Sequence, residues 1–157
     1  MSDQSIARTF HVVIADEDEA NREMVESVLS AYGYRISTAS DGVAAWKAAF
    51  EAPTDLAIIS LTLPGLNGFD FIARARVAPS TAHMAIMVMS SADDPDVCER
   101  AFGLGATAYL MKPLKWPVLT HNVWYILRNQ VRDAEMMALK VKLGIERPGA
   151  RTFDLAS

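Results

Sequence analysis

Four apolar runs of this chain end in residues that carry reactive or charged side chains. HVVIA at 11–15 runs into Asp16 and Glu17, LAII at 56–59 into Ser60, AIMVM at 85–89 into Ser90 and Ser91, and AYLM at 108–111 into Lys112. Two carboxylates, hydroxyls and an amine could together hold an ion or move a proton, provided that one pocket gathers them. A serine hydroxyl alone is a poor nucleophile and needs a base to take its proton. Asp16 or Glu17 could be that base only where the fold brings them to Ser60. The chemistry therefore depends on the elements that carry these residues.

Each run is too short for a helix and reads as a buried strand. Between the runs the hydrophobic period turns helical. Ala20, Met24, Val25, Val28, Leu29 and Tyr32 mark a first helix, with Gly33 at its left-handed stop. Residues 34–39 form a further strand, and a helix from Ser40 or Asp41 carries Val43, Trp46, Ala49 and Phe50 before Pro53. Asn67, with Asp70 three residues on, caps a helix through Phe69, Ile72 and Ala73. Asp94-Pro95 opens another, stopped by Gly103 and Gly105. The last helix starts near Pro117, with Val123, Leu127, Val131, Ala134, Met137 and Val141 near coiled-coil spacing.

Strand and helix alternate five times, which predicts a parallel sheet covered on both faces, with right-handed crossovers. In such doubly wound sheets the site lies beyond the carboxyl ends of the strands, where the strand order switches. Asp16, Glu17, Ser60, Ser90 and Lys112 all fall at those ends.

Composition narrows the function classes. The 157 residues suit one domain with a real core, and 51% hydrophobic with 22% charged residues is a soluble globular balance. Fifteen basic against nineteen acidic residues, net −4, argue against a general nucleic-acid binder. No apolar run approaches the roughly 18 residues that cross a bilayer, and MSDQSIARTF lacks a signal-peptide layout, so a cytoplasmic protein is expected. Cys98 is the single cysteine and His11, His83 and His121 lie far apart, which excludes an internal disulfide and a multi-cysteine zinc site.

The ordered set at positions 16–17, 60, 90 and 112 resembles the receiver domain of bacterial two-component response regulators, over about residues 10–130. The LPGLNGFDFI segment at 63–72, ATAYLMKP at 106–113 and the turn Ser40-Asp41-Gly42 carry the same resemblance. It implies an α/β, flavodoxin-like fold with five parallel strands, five helices and, here, a long C-terminal helix. In that family the acidic pair and an aspartate after the third strand hold magnesium. The aspartate accepts phosphate from a kinase phosphohistidine, a hydroxyl and a lysine bind the phosphoryl oxygens, and an aromatic beside the lysine switches rotamer. Asp16 and Glu17 match the acidic pair, Ser90 the switch hydroxyl, Tyr109 the aromatic and Lys112 the lysine. Thr62 matches the position whose backbone carbonyl ligates the metal, and the Lys112-Pro113 bond matches one that tends to be cis. Ser60 stands where the family has its phospho-acceptor aspartate.

That departure sets the functional expectation. An acyl phosphate needs a carboxylate, so the chain is expected to be an atypical receiver that acts through protein–protein contact, with no catalytic residues. Loss of one of three carboxylates weakens magnesium binding and relieves like-charge crowding, leaving Lys112 to neutralise much of the remaining pair. The alternative is a phosphorylatable receiver in which an aspartate at position 60 has been changed to serine. A phosphatase using Asp16 as nucleophile, with Asp18 two residues on, is disfavoured because such enzymes carry a larger cap domain.

The expected partners are a histidine kinase or a downstream effector, met on the face of the fourth helix, fifth strand and fifth helix around Tyr109. Gly103 and Gly105 read as a helix stop and not a phosphate loop, Cys98 as a small core residue, and Met84, Met87 and Met89 as core filling. The expected plan is a receiver at 10–130, a helical extension at 131–145 and a disordered tail at 146–157, with no output domain following. Beyond Arg128 the last helix outruns its sheet, so its apolar stripe is expected to pair with a partner, a homodimer being the simplest case.

Overall fold

The computed structural model describes residues 8–144. The tail expected at 146–157, with residue 145, lies outside the described residues. In chain order the elements are β1 (His11–Ala15), α1 (Glu19–Ser30), β2 (Arg35–Ala39), α2 (Gly42–Glu51) and β3 (Leu56–Ser60). They continue with α3 (Gly68–Val77), β4 (Ala85–Ser90), α4 (Pro95–Leu104), β5 (Ala108–Met111) and α5 (Trp116–Lys142).

Short polar side chains start the first four helices. Asp18, Asp41, Asn67 and Asp94 each accept a hydrogen bond from a first-turn backbone N–H, which satisfies a donor that the helix cannot. The α5 helix has no side-chain cap and begins on Pro117 in its first turn.

All strand pairs are parallel, in the order β2-β1-β3-β4-β5. The order reverses between β1 and β3, so a crevice opens at their carboxyl ends. β1, β3 and β4 are buried along their whole length, as strands covered on both faces must be. Alternate residues feed two cores. Val13, Ala15, Ile59, Ile86 and Val88 meet Ala45 of α2, Phe71 and Ile72 of α3 and Ala101 of α4. Val12, Ile14, Ile58, Met87 and Met89 meet Val25 and Leu29 of α1 and Leu119, Val123 and Leu127 of α5.

The loop after β3 is held against the start of α2 by a close backbone approach. Gly42 donates its N–H to the Pro64 carbonyl at 2.9 Å. A Cβ on Gly42 would sit 1.7 Å from the Leu66 carbonyl oxygen, so no larger residue fits this turn as it stands.

Several details differ from the sequence reading. Tyr34 precedes β2 instead of opening it. Gly103 lies inside α4, and only Gly105, at φ 116°, ends it. Cys98 is half-buried on α4 and belongs to neither core, whereas Met84, Met87 and Met89 are buried as expected. Met24 and Tyr32 of the first helical stripe, and Val43 and Phe50 of the second, are exposed. Periodicity finds the stripe, but only its centre reaches the sheet and its margins lean past.

Arg76 near the end of α3 ties three segments together without any carboxylate. Its Nε and Nη2 donate to the Gly105 carbonyl at 3.0 and 2.7 Å, and Nη1 to the carbonyls of Ala82 and Met84 at 3.2 and 2.6 Å. Burial pushes the guanidinium pKa below its ordinary value.

On α5, Val123 and Leu127 are buried while Val131, Met137 and Val141 are only half-buried. Gln130 still reaches the domain, its Nε2 donating to the Asp55 carbonyl at 2.6 Å. The exposed apolar residues farther along are Met136, Leu139 and Leu143, a neighbouring stripe at spacings of three and four.

Candidate functional site

The crevice at the β1/β3 switch receives Asp16, Glu17, Ser60 and Lys112 from three strand ends. Asp16 is fully buried directly after β1. Its Oδ1 accepts from the Asp18 N–H at 2.9 Å and its Oδ2 from the Asn21 side-chain amide. Lys112, only 19% exposed, reaches over from the end of β5 and places its Nζ 3.2 and 3.1 Å from the two oxygens. The buried carboxylate thus carries a full ammonium counter-charge and two further donors, which is what burial of such a charge requires.

Backbone contacts hold this ion pair in place. The Lys112 N–H donates to the Ser90 carbonyl at 2.8 Å, and the following Lys112-Pro113 bond is cis. Arg22 donates from Nη1 to the Asp16 carbonyl at 2.7 Å. Asn21 also lies 3.8 Å from the Met89 sulfur, which seats its amide between α1 and β4.

Ser60 ends β3 and is 1% exposed. Its Oγ lies 3.2 Å from the Thr62 Oγ1, and the Thr62 hydroxyl donates in turn to Glu17 Oε2. The Thr62 N–H approaches Ser60 Oγ at 3.4 Å. Burial alone would raise the Glu17 pKa. Hydrogen bonds from the Thr62 hydroxyl, the Glu17 backbone and the Ser60 hydroxyl, with the Lys112 charge, outweigh it and hold the carboxyl below 4.5.

Ser90 and Tyr109 form a second small unit beside the crevice. Ser90 Oγ accepts from the Ala92 N–H at 3.0 Å, and the half-buried Tyr109 donates its O–H to the Ala92 carbonyl at 3.1 Å. Both side chains therefore fasten the loop between β4 and α4.

The structure thus brings Asp16 to Lys112 and Ser60 to Thr62 and Glu17, while Ser90 and Tyr109 meet at Ala92. Thr62 acts here through its hydroxyl, where sequence reasoning expected only its carbonyl. Asn21 and Arg22 were not singled out, although two polar residues at the start of an amphipathic helix, a turn past Asp16, are a usable signal.

As arranged, these residues offer magnesium few free carboxylate oxygens. Magnesium asks for a near-octahedral shell of oxygens, usually including one or two free carboxylates. Both Asp16 oxygens face N–H donors and Glu17 is turned to Thr62. Among the described residues no group of three or more His, Cys, Asp or Glu could hold an ion. Nor is any helix among them long and apolar enough to cross a membrane.

Known proteins resemble this chain in sequence and fold. The chain is 31% identical over 110 residues to the "Probable chemotaxis protein CheY" of Rhizobium etli, covering 69% of this chain and 85% of that protein. It is 28% identical over 119 residues to a "Probable cyclic di-GMP phosphodiesterase" of Vibrio cholerae, covering 76% of this chain but only 27% of that protein. The chain therefore spans about a quarter of that relative's length. The solved structure of chemotaxis response regulator CheY4 of Vibrio cholerae superposes with a TM-score of 0.72 at 26% identity, covering 76% of this chain and 99% of that one. The sequence model of the response regulator receiver domain matches residues 12–123, and the chain belongs to that family.

Proposed function

We propose that this chain is an atypical receiver of two-component signalling in which Ser60 occupies the phospho-acceptor position and Lys112 serves as a built-in counter-ion for Asp16. It works by protein–protein contact, as a cytoplasmic signalling partner of a histidine kinase or effector, and performs no catalysis of its own. The receiver unit is residues 10–130, with α5 extending beyond it. The observation that carries this reading is the Asp16–Lys112 pair at 3.1 Å beside a buried hydroxyl at position 60. A lysine spent on Asp16 and a neutral Ser60 leave neither a carboxylate nucleophile nor a charge that demands magnesium.

Two further features support parts of the reading. Ser90, Tyr109 and Lys112 retain the chemistry of the family's switch and phosphate-binding positions. The exposed stripe of Met136, Leu139 and Leu143 supports a homodimer through α5. The test is incubation with acetyl phosphate and magnesium, followed by detection of a base-labile acyl phosphate. The natural chain should stay unlabelled and Ser60→Asp should take up phosphate. Labelling of the natural chain at Ser60 would overturn the proposal, and an inert Ser60→Asp variant would refute the assignment of Asp16, Glu17 and Lys112 to this site.

A further inference from the structure

A second concavity lies at the other end of the sheet, beyond the amino ends of β1 and β2. It is a cleft of about 710 Å³ between the α1–β2 turn, residues 8–10 and the middle turns of α5. Four aromatic rings line it: Phe10, Tyr32, Tyr34 and Trp124. Gly33, at φ 83°, turns the chain so that Tyr32 and Tyr34 stand side by side, stacked at 6.0 Å with their planes 16° apart. Tyr32 remains 54% exposed and Trp124 46% exposed, so both rings present open surface to the cleft rim.

The charge in the cleft has one dominant sign. Three guanidiniums, of Arg8, Arg128 and Arg132, face a single carboxylate, that of Glu135, in a chain whose net charge is −4. Arg8 already lies over Phe10 and pairs with Asp55, and Arg128 lies 4.7 Å from the Trp124 ring centre. Arg132 pairs with no carboxylate among the described residues. Flat exposed rings select a planar partner, and unspent guanidiniums select an anion with several oxygens.

We infer that this cleft binds a free nucleotide, its base stacked on the Tyr32 ring and its phosphates held by Arg128 and Arg132. The volume falls within the range of about 300–1,000 Å³ typical of small-molecule sites. A nucleic-acid strand fits less well, because the basic groups sit in one cleft and make no stripe for a polymer to follow. The site is independent of Ser60, which lies at the opposite end of the strands.

Titration calorimetry of the full chain with ATP and GTP tests the inference. Saturable binding is expected, with a Kd on the order of 100 µM or tighter. Adenosine, which lacks phosphate, and tripolyphosphate, which lacks a base, should each bind at least about tenfold more weakly. Arg132→Ala should weaken ATP by roughly tenfold. Tyr32→Leu should do the same while Tyr32→Phe, which keeps the ring, retains affinity; both positions are exposed, so the core stays intact. Ser60→Asp should bind ATP unchanged, which separates this inference from the role given to residue 60. No saturable binding at millimolar nucleotide would overturn it. So would tripolyphosphate binding as tightly as ATP, an unaltered Kd in Arg132→Ala, or tighter binding of an oligonucleotide than of ATP.

Discussion

Replacing Lys112 by methionine keeps most of the side-chain stem and removes only the ammonium. In the native chain that ammonium lies 3.1 Å from an Asp16 carboxylate with no solvent exposure. At an effective dielectric constant near 20, a pair at that separation attracts by about 5 kcal/mol. The loss is smaller than this, because the variant no longer desolvates an ammonium. It does not vanish, because the Asp18 N–H and the Asn21 amide alone must then support a buried charge. Breaking a buried pair from one side typically costs about 3–5 kcal/mol, and the two surviving donors place this site near the lower figure, about 3 kcal/mol. For a chain of 157 residues that lowers Tm by roughly 6–12 °C. Urea unfolding should show a lower midpoint with an unchanged slope. Asp16→Asn in the Lys112→Met background should then cost far less than it does alone, with a coupling of about 2 kcal/mol. A loss below about 1 kcal/mol, or a coupling near zero, would refute the counter-ion role of Lys112.

Thr62→Val removes a hydroxyl that holds the Glu17 carboxyl below 4.5, so the Glu17 midpoint in carboxyl NMR should rise. A folded pKa below the unfolded one adds stability that is present above about 4.5 and lost as the pH falls through the folded value. The variant should therefore lose some of its stability advantage above pH 4.5 and show a flatter acid limb, and an unmoved Glu17 midpoint would contradict this account. Magnesium should bind Ser60→Asp at least about tenfold more tightly than the natural chain, as one added negative charge in a partly buried pocket implies; equal affinities by calorimetry would place residue 60 outside the pocket. Truncation after Asn129 should give a folded monomer by sedimentation and the full chain a dimer. A full chain that is monomeric at high micromolar concentration would rule out self-pairing through Met136, Leu139 and Leu143.

What could be read beforehand follows from what each signal encodes. The strands and caps were legible because Asp41, Asn67 and Asp94 act on backbone groups two or three residues away, within one local window. The convergence of Asp16, Ser60 and Lys112 was legible because alternation of strand and helix fixes which chain ends share an edge. Lys112 was expected to neutralise the acidic pair, but that its ammonium settles on Asp16, 96 positions away, depends on side-chain reach rather than on period. Likewise the spacing of Val131, Met137 and Val141 traced one helical stripe, while the residues left uncovered are Met136, Leu139 and Leu143, one or two positions away. Period marks a direction on a helix; what covers it is a property of the neighbours.

The Arg76 clasp has a mechanical consequence for α4. At its carboxyl end this helix is anchored, since Gly105 gives its carbonyl to two donors of a guanidinium that also grips the chain leading into β4. At its amino end the Asp94 cap is exposed, and the preceding loop is fastened by the single Tyr109–Ala92 bond and the Ser90 turn. Such a rod behaves as a lever with one pinned end. A partner that releases Tyr109 would swing the Asp94 end through the larger arc, while Gly105 stays put as the fulcrum.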